Sequence, residues 1–219
     1  TVPAGNRGPR LDLQAHLADP SKPIDAGQYR HSTHYLENAT WDPIVNALKN
    51  SNLTDPGSKV KVIFVPTYLN KADGIFHKDY YELLVGMDIT VFPSYYEPWG
   101  YTPLESVAFS IPPVTPTLAG FGIWVDKQRE HAGVEVIRRD DYNDKEVEAK
   151  IADTLLRFSL LDEKHVNEQH TSAYEISLTA LWEHLFAAYE QAYSEAVESS
   201  IVRTNRAVLD GGTKTEQIN

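Results

Sequence analysis

The chain alternates short apolar runs with longer stretches in which apolar residues recur every three or four positions. The short runs are rich in β-branched residues, as buried parallel strands are; they cover residues 60–65, 89–92, 112–115 and 134–137. Because strands separated by helices pair in parallel, this order predicts an α/β fold with a Rossmann-like parallel sheet flanked by helices on both faces.

Helical periodicity predicts the elements around these strands. It predicts helices over residues 11–17, 35–50, 79–87, 102–111 and 144–161, and one or two long C-terminal helices over 163–200. Asn38 or Thr40 is the candidate N-cap of the second of these helices, with Pro43 near its first turn. We predict one domain over residues 1–200 and a disordered tail over residues 201–219.

The most informative connection joins the second predicted strand to its helix. Thr102, Pro103 and Glu105 match a helix start, with an N-cap, a proline at the first helical position and a capping-box carboxylate. In an α/β sheet the free N–H groups and helix dipole at such a turn suit a phosphate. An ordinary capped turn shows the same signals, but Glu97 and several aromatic side chains add binding chemistry to this one.

Composition narrows the expected partners. Twenty basic and 31 acidic residues give a net charge of −11, which argues against nucleic acid and against an anionic membrane surface. The chain has no cysteine, which excludes a disulfide framework and a thiolate metal site and fits a cytoplasmic location. Its eight histidines are scattered, so no metal is expected. No apolar run approaches the roughly 18 residues of a transmembrane helix.

One continuous string is specific enough to indicate a family. Residues 92–105, Phe-Pro-Ser-Tyr-Tyr-Glu-Pro-Trp-Gly-Tyr-Thr-Pro-Leu-Glu, resemble the signature of glycogen synthases of the animal and fungal type. That family has bacterial members, and we interpret this chain as one. Residues 60–70 and 118–122 also resemble the family, and the resemblance covers roughly residues 30–195. It implies a retaining glucosyltransferase of the GT-B architecture, of which this chain is the C-terminal, donor-binding half.

The resemblance implies roles for residues of the signature. Glu97 lies where the sugar and its anomeric carbon are expected, and it is the catalytic candidate. Glu105 resembles the glutamate that binds the ribose, since its two oxygens suit a vicinal diol. The backbone N–H groups of Gly100, Tyr101 and Thr102 are expected to hold the diphosphate.

Three aromatic residues complete the predicted donor site. The resemblance assigns Tyr68 and Tyr80 to stacking on the nucleotide base. Tyr80 could instead be a core residue of its helix, since tyrosine is often half-buried. Trp99, in the same loop as Glu97, is included among the donor-binding residues.

The resemblance also sets the expected partners and the alternatives. GT-B enzymes stabilise the leaving diphosphate with cationic groups and helix ends, so no metal cofactor is implied. The expected partners are UDP-glucose or ADP-glucose, an α-1,4-glucan acceptor and the N-terminal domain of the same enzyme. A second copy of the chain is a further candidate partner. Because the family's donor-binding arginine and lysine are not in this sequence, the chain alone is expected to be inactive. A different GT-B transferase and a non-catalytic nucleotide-binding module are the alternatives.

Overall fold

The computed structural model describes residues 32–34, 36, 38–55, 57–128 and 132–212. The chain divides into two compact units, Thr1–Gly86 and Met87–Asn219, where the sequence predicts one domain over residues 1–200. The first unit contains helices α1 (Pro43–Asn50) and α2 (Tyr80–Leu84). The second contains, in chain order, β1 (Thr90–Val91), α3 (Tyr101–Ala108), β2 (Pro113–Pro116), α4 (Gly120–Asp126), β3 (Glu135–Ile137), α5 (Asp144–Ser159), α6 (Glu163–Thr179) and α7 (Trp182–Gly212). The helix predicted over residues 11–17 lies outside the described residues.

The three strands form a parallel sheet in the order β1-β2-β3. Thr90 lies opposite Pro113, and Val114 lies opposite Glu135. The central strand β2 is buried along its whole length, and prolines occupy both of its ends, where a missing N–H costs the ladder least. The α/β fold and the strands predicted near residues 89, 112 and 134 are therefore confirmed.

Two apolar clusters cover the two faces of the sheet. The first joins helices α3, α4 and α6 through Val107, Phe121, Val125, Val134, Ala173 and Ile176. The second joins the strands to α5 through Val114, Ile137 and Val147, with Ile89, Val91 and Ile151 packed beside them. Val136 packs against the first cluster, whereas the next residue, Ile137, belongs to the second, as side-chain alternation along a strand requires. Helices therefore flank both faces, as predicted.

The apolar run at residues 60–65 is not a strand, so this prediction was wrong. Val60, Val62 and Ile63 are 59%, 43% and 37% exposed. The carbonyl of Phe64 accepts hydrogen bonds from the N–H and hydroxyl of Thr33, at 2.9 and 3.2 Å. Within the described part of the first unit no strand is present to extend this contact into a ladder. An apolar run becomes a strand only where a neighbouring strand completes its hydrogen bonds.

Helix α1 begins later than predicted and has a different cap. Asp42, rather than Asn38 or Thr40, is the N-cap, and its Oδ1 accepts from the N–H groups of Ile44 and Val45, both at 2.9 Å. Pro43 is the first helical residue. A carboxylate directly before a proline suits this start, because it accepts from the free N–H groups that follow and proline has none to satisfy.

The C-terminal region contains two long helices, α6 and α7, as predicted. Helix α7 continues to Gly212, whereas the sequence predicts a disordered tail from residue 201; residues 213–219 lie outside the described residues. Aromatic rings follow one another along its first turns, with centroid distances of 5.7 Å between Trp182 and Phe186 and 5.0 Å between Trp182 and Tyr189. Of the helices described, none combines the length and apolar character needed to cross a bilayer.

Candidate functional site

Three loops leave the carboxyl ends of the parallel strands. They follow β1, β2 and β3 and cover residues 92–100, 117–119 and 138–143; we call them the carboxyl-edge loops. The N–H of Thr117 donates to the carbonyl of Ile137 at 2.9 Å and so links the second loop to the end of β3. Ligands of open α/β sheets bind at this edge, so these loops form the candidate functional site.

Glu97 lies in the first loop, and its backbone is hydrogen-bonded to the segment that follows β2. It pairs with Ala119 as an isolated parallel bridge. Its N–H donates to the carbonyl of Leu118 at 3.2 Å, and its own carbonyl accepts from the N–H of Gly120 at 3.1 Å. The side chain is half-buried, and the Ser94 hydroxyl donates to its Oε2 at 3.3 Å. The carboxylate therefore projects from a residue whose N–H and carbonyl are both hydrogen-bonded.

The glycines after β2 are required by this close approach. A Cβ on Gly120 would collide with the carbonyl oxygen of Pro98, and it would lie 3.1 Å from the Cα of Trp99. A Cβ on Gly122 would collide in the same way with the carbonyl oxygen of Pro116. Phe121, between the two glycines, donates its N–H to the carbonyl of Trp99. The glycine-containing segment at residues 118–122 thus lets the second loop pack directly on the first.

Helix α3 starts at a glycine, which corrects the predicted cap. Gly100 is the N-cap, with φ 112° and ψ 73°, and Tyr101 is the first helical residue. Thr102 and Pro103 are therefore the second and third helical residues, and the predicted capping box between Thr102 and Glu105 was wrong. The positive φ of Gly100 is accessible mainly to glycine and turns the chain into the helix before Thr102 is reached.

The early helix start still supplies the N–H groups expected for an anion. The first N–H groups of any α-helix have no carbonyl partner within the helix, and residues 100–102 carry those groups in α3. Tyr101 and Thr102 are exposed, whereas Gly100 is buried. Glu105 is the fifth residue of α3 and is half-buried. Glu97 thus lies on the loop before the helix, and Glu105 lies within the helix.

Trp99 is part of the packing beneath the loop. Its ring is half-buried and lies 6.1 Å from the Phe121 ring, edge to face, and 5.9 Å from the Trp124 ring. The Phe121 and Trp124 rings are 5.7 Å apart, so the three aromatics form one cluster. Edge-to-face and tilted contacts of this kind add to the free energy gained by burial. The ring therefore supports the loop on α4, and a contact with the donor stays a prediction.

Tyr68 and Tyr80 lie in the first unit. Tyr68 is 92% exposed. Tyr80 is the first residue of α2 and is half-buried, with its ring centroid 5.3 Å from that of Tyr81 in an edge contact. Neither the core position nor the base-stacking role that the sequence allowed for Tyr80 is decided by this environment, so both stay predictions.

The loop leading to α2 is organised by one buried carboxylate. Asp73 Oδ1 accepts from the N–H groups of Ile75, Phe76 and His77 at 2.8, 3.0 and 3.1 Å. Burial alone would raise the pKa of Asp73, but these N–H groups lower that pKa below its ordinary value. The carboxylate is therefore held in its charged form, and it fixes the loop between Tyr68 and Tyr80.

Arg139, in the third loop, is a site residue that sequence reasoning missed. Its guanidinium is buried, and Nη1 donates to the carbonyl of Pro93 at 2.8 Å while Nη2 contacts Asp144 Oδ1 at 2.7 Å. The guanidinium carbon lies 3.6 Å from the centroid of the Tyr95 ring, and the Tyr95 hydroxyl donates to Asp144 at 3.1 Å. A cation just after the last strand, at the ligand-binding edge, was the signal that could have identified it.

Potential metal ligands do not converge within the described residues. No three side chains of the His, Asp or Glu type come together there as metal ligands do. His34 contacts the Thr33 hydroxyl and the carbonyl of Asp73, each at 2.8 Å. A reaction without a metal stays a prediction.

Comparison with known proteins identifies the family of this fold and signature. The family model described as glycogen synthase matches residues 30–214. Glycogen (starch) synthase isoform 1 of Saccharomyces cerevisiae is 30% identical over 207 residues, which cover 83% of this chain and 28% of that protein. The Caenorhabditis elegans glycogen (starch) synthase is 34% identical over 58% of this chain and 22% of its own length. The liver glycogen (starch) synthase of Mus musculus is 40% identical over 44% and 14%. The chain therefore spans less than a third of these relatives.

Proposed function

The chain belongs to the glycogen synthase family, and on that premise we propose that it is the donor-binding part of a retaining glucosyltransferase. The proposed reaction transfers glucose from UDP-glucose or ADP-glucose to an α-1,4-glucan in the cytoplasm. The proposed partners are the nucleotide sugar, the glucan and the N-terminal domain of the same enzyme. The observation that carries the proposal is the backbone clamp on Glu97 at the carboxyl edge of the sheet.

Glu97 is the proposed catalytic residue. A carboxylate beside the anomeric carbon stabilises the positive charge that develops on the sugar ring as the bond to the diphosphate breaks. Such stabilisation depends on a charge that is already in place, because reorganisation during the reaction would consume the gain. Support comes from the two backbone hydrogen bonds that hold Glu97 and from the Ser94 hydroxyl at its carboxylate.

The start of α3 is the proposed diphosphate site. The N–H groups of residues 100–102 and the positive end of the helix dipole favour negative charge, and they act without a metal ion. Glu105, one turn further along, is proposed to accept hydrogen bonds from the ribose hydroxyls. Tyr68 and Tyr80 are proposed to stack on the base.

A transfer assay with the intact enzyme tests this function. We expect radiolabelled glucose to pass from one of the two nucleotide sugars into glycogen, with the rate unchanged by a metal chelator. The chain alone is expected to be inactive. Nucleotide binding by the intact enzyme without transfer from either donor would instead favour a binding module.

The two glutamates separate catalysis from donor binding. Glu97→Gln keeps the size of the side chain but removes its charge, so kcat should fall by about a hundredfold while donor affinity changes little. Glu105→Ala should weaken donor binding by about 1.5–3 kcal/mol, the usual value of hydrogen bonds to a charged group. Initial rates and donor calorimetry measure both effects. A Glu97→Gln enzyme with wild-type kcat would show that the loop only binds the donor.

A further inference from the structure

We propose that Arg139 is a positioning residue that holds the loop bearing Glu97 in its reactive place. This inference rests on the role proposed above for Glu97. Arg139 is not among the residues assigned to the donor, and it acts on Glu97 through the backbone of two loops. Three contacts carry the argument: with the loop after β1, with the loop after β2, and with the start of α5.

The first contact is between the side chain of Arg139 and the loop after β1. Nη1 donates to the carbonyl of Pro93, and the guanidinium carbon lies over the Tyr95 ring, 3.6 Å from its centroid. Pro93 and Tyr95 lie four and two residues before Glu97. The Ser94 hydroxyl, between them, reaches Glu97 Oε2 at 3.3 Å. One side chain therefore holds both neighbours of the serine that contacts the catalytic carboxylate.

The second contact fixes the loop after β2. The backbone N–H of Arg139 donates to Thr117 Oγ1 at 3.0 Å, and the Thr117 hydroxyl donates to the carbonyl of Arg139 at 3.4 Å. The segment after Thr117 contains Leu118, whose carbonyl accepts from the N–H of Glu97, and Gly120, whose N–H donates to the Glu97 carbonyl. Position 139 therefore contacts both loops that meet at Glu97. Its main chain holds the loop after β2, a contact that every variant at this position keeps, and the arginine side chain holds the loop after β1.

The third contact makes the buried cation tolerable and explains why the residue is arginine. Asp144, in the first turn of α5, accepts from Nη2 at 2.7 Å and also from the Tyr95 hydroxyl. A buried charge without such a partner would be costly. The planar fork can donate in two directions and stack on a ring at once, which a lysine ammonium cannot do.

Substitution in the intact enzyme tests the proposal. Arg139→Met should lower kcat by about ten- to a hundredfold while the donor KM changes less than about twofold, because small displacements of a catalytic group have effects of this size. Arg139→Lys should remain well below wild type, since a lysine has no planar group to lie over the Tyr95 ring and no fork to reach the Pro93 carbonyl and Asp144 together. Millimolar guanidinium should restore part of the kcat of Arg139→Ala. Equal loss in kcat and donor affinity, or no loss, would overturn the proposal.

Arg157 offers a matched control. It also pairs with carboxylates, Glu135 at 3.2 Å and Asp153 at 3.0 Å, but near the first residue of β3 rather than after its last. Arg157→Met should therefore leave kcat unchanged. In a Glu97→Gln background, Arg139→Met should lower kcat by no more than about threefold, because residues that act as a unit are non-additive. The same large factor in both backgrounds would show that Arg139 does not act through Glu97.

Hydrogen exchange separates this proposal from the proposed function. Arg139→Met should speed exchange of the Glu97 amide at least about tenfold, because that N–H is protected by the bridge it supports. Arg157→Met should not change it. If the wild type transfers no glucose but Arg139→Met still speeds exchange of the Glu97 amide, the proposed function is wrong and the positioning role of Arg139 stands. If exchange of the Glu97 amide is unchanged, the positioning role of Arg139 is wrong, whether or not the enzyme transfers glucose. If Arg139→Met does not fold, Arg139→Lys is scored by the same two measurements.

Discussion

The loops that meet at Glu97 in the second unit and the carboxylate turns of the first unit are held by different hydrogen bonds. At the carboxyl edge of the sheet in the second unit, backbone groups from separate segments bond to one another: Glu97 to Leu118 and Gly120, and Thr117 to Ile137. The partners are about twenty residues apart in the sequence, so their meeting depends on the sheet that brings the loops together. The geometry of the carboxyl edge is therefore a property of the whole unit.

In the described part of the first unit, single carboxylates hold the chain by accepting hydrogen bonds from N–H groups a few residues further along. Asp42 Oδ1 accepts from two N–H groups at the start of α1. Asp73 Oδ1 accepts from three N–H groups, each two to four residues further along the chain. Asp55 Oδ1 accepts from the N–H of Gly57 at 2.8 Å. Such contacts form within a few residues and do not need a sheet.

The comparison shows that the carboxylate turns and the sheet depend on different contacts. Local carboxylate turns form without long-range pairing, but a strand does not. The apolar residues at 60–65 are largely exposed, whereas β2 is buried from Pro113 to Pro116. Changes in volume should therefore be felt most in the second unit, and changes to single carboxylates in the first.

The largest expected effect comes from adding one methyl group at Gly120. Gly120→Ala forces a Cβ against the Pro98 carbonyl, and overpacking of this kind should lower the free energy of unfolding by about 3 kcal/mol. Gly86→Ala is the matched control in the first unit, since its Cβ would lie 3.4 Å from the Leu83 carbonyl oxygen, an ordinary contact. It should change stability by less than about 1 kcal/mol. Urea unfolding measures both; similar losses would remove the contrast between the units.

A smaller effect is expected from removing apolar volume. Val114, on the central strand, is 2% exposed, and Val114→Ala should lower the free energy of unfolding by about 2 kcal/mol through lost burial and a residual cavity. Val62 is 43% exposed, so Val62→Ala should stay within about 0.5 kcal/mol of wild type. The same unfolding experiment gives both values. A costly Val62→Ala would mean that the run at residues 60–65 is buried after all.

The cap of α1 should contribute about half as much. Asp42→Ala leaves the N–H groups of Ile44 and Val45 without their side-chain acceptor, which should cost about 1 kcal/mol. Asp42→Asn keeps an acceptor oxygen and should be close to wild type. Amide exchange of Ile44 and Val45 follows the cap directly. Equal losses in the two variants would point to the charge of Asp42 rather than to its hydrogen bonds.

The smallest expected effect is a pH dependence at the start of α6. Asp162 accepts from the N–H and the ring of His165, which lowers the pKa of Asp162. The side-chain hydrogen bond to Asp162 raises the pKa of His165 above 6.5. The histidine's contribution to stability is therefore full below about pH 6.5 and is lost as the pH rises through its folded pKa.

His165→Gln should remove this dependence. The melting-temperature difference between wild type and variant should be largest near pH 5–6 and should shrink above it. Asp162→Asn, which keeps the N-cap acceptor, should bring the pKa of His165 in an NMR titration back towards 6.5. A His165 pKa that is the same with aspartate or asparagine at position 162 would contradict the pairing.

Three of the four predicted strands could be located from the sequence because their runs are short, mostly apolar and rich in β-branched residues, as is typical of strands covered on both faces. The run at residues 60–65 misled because its composition is the same and only a partner strand makes the difference. The start of α3 was misplaced because a side-chain cap is visible in sequence and the backbone angle of Gly100 is not. Arg139 was missed because its partner Pro93 is 46 positions away. Local signatures were thus accessible, and long-range contacts were not.

The parallel register has a kinetic consequence. Thr90 pairs with Pro113 and Val114 pairs with Glu135, so each pairing closes a segment of about twenty residues that contains a helix. Helices form within microseconds, whereas pairings across such segments must first overcome the entropy of loop closure. The bridge between Glu97 and Ala119 needs β1 and β2 to be side by side. We therefore expect the geometry around Glu97 to be among the last features to form during folding, after the helices that surround it.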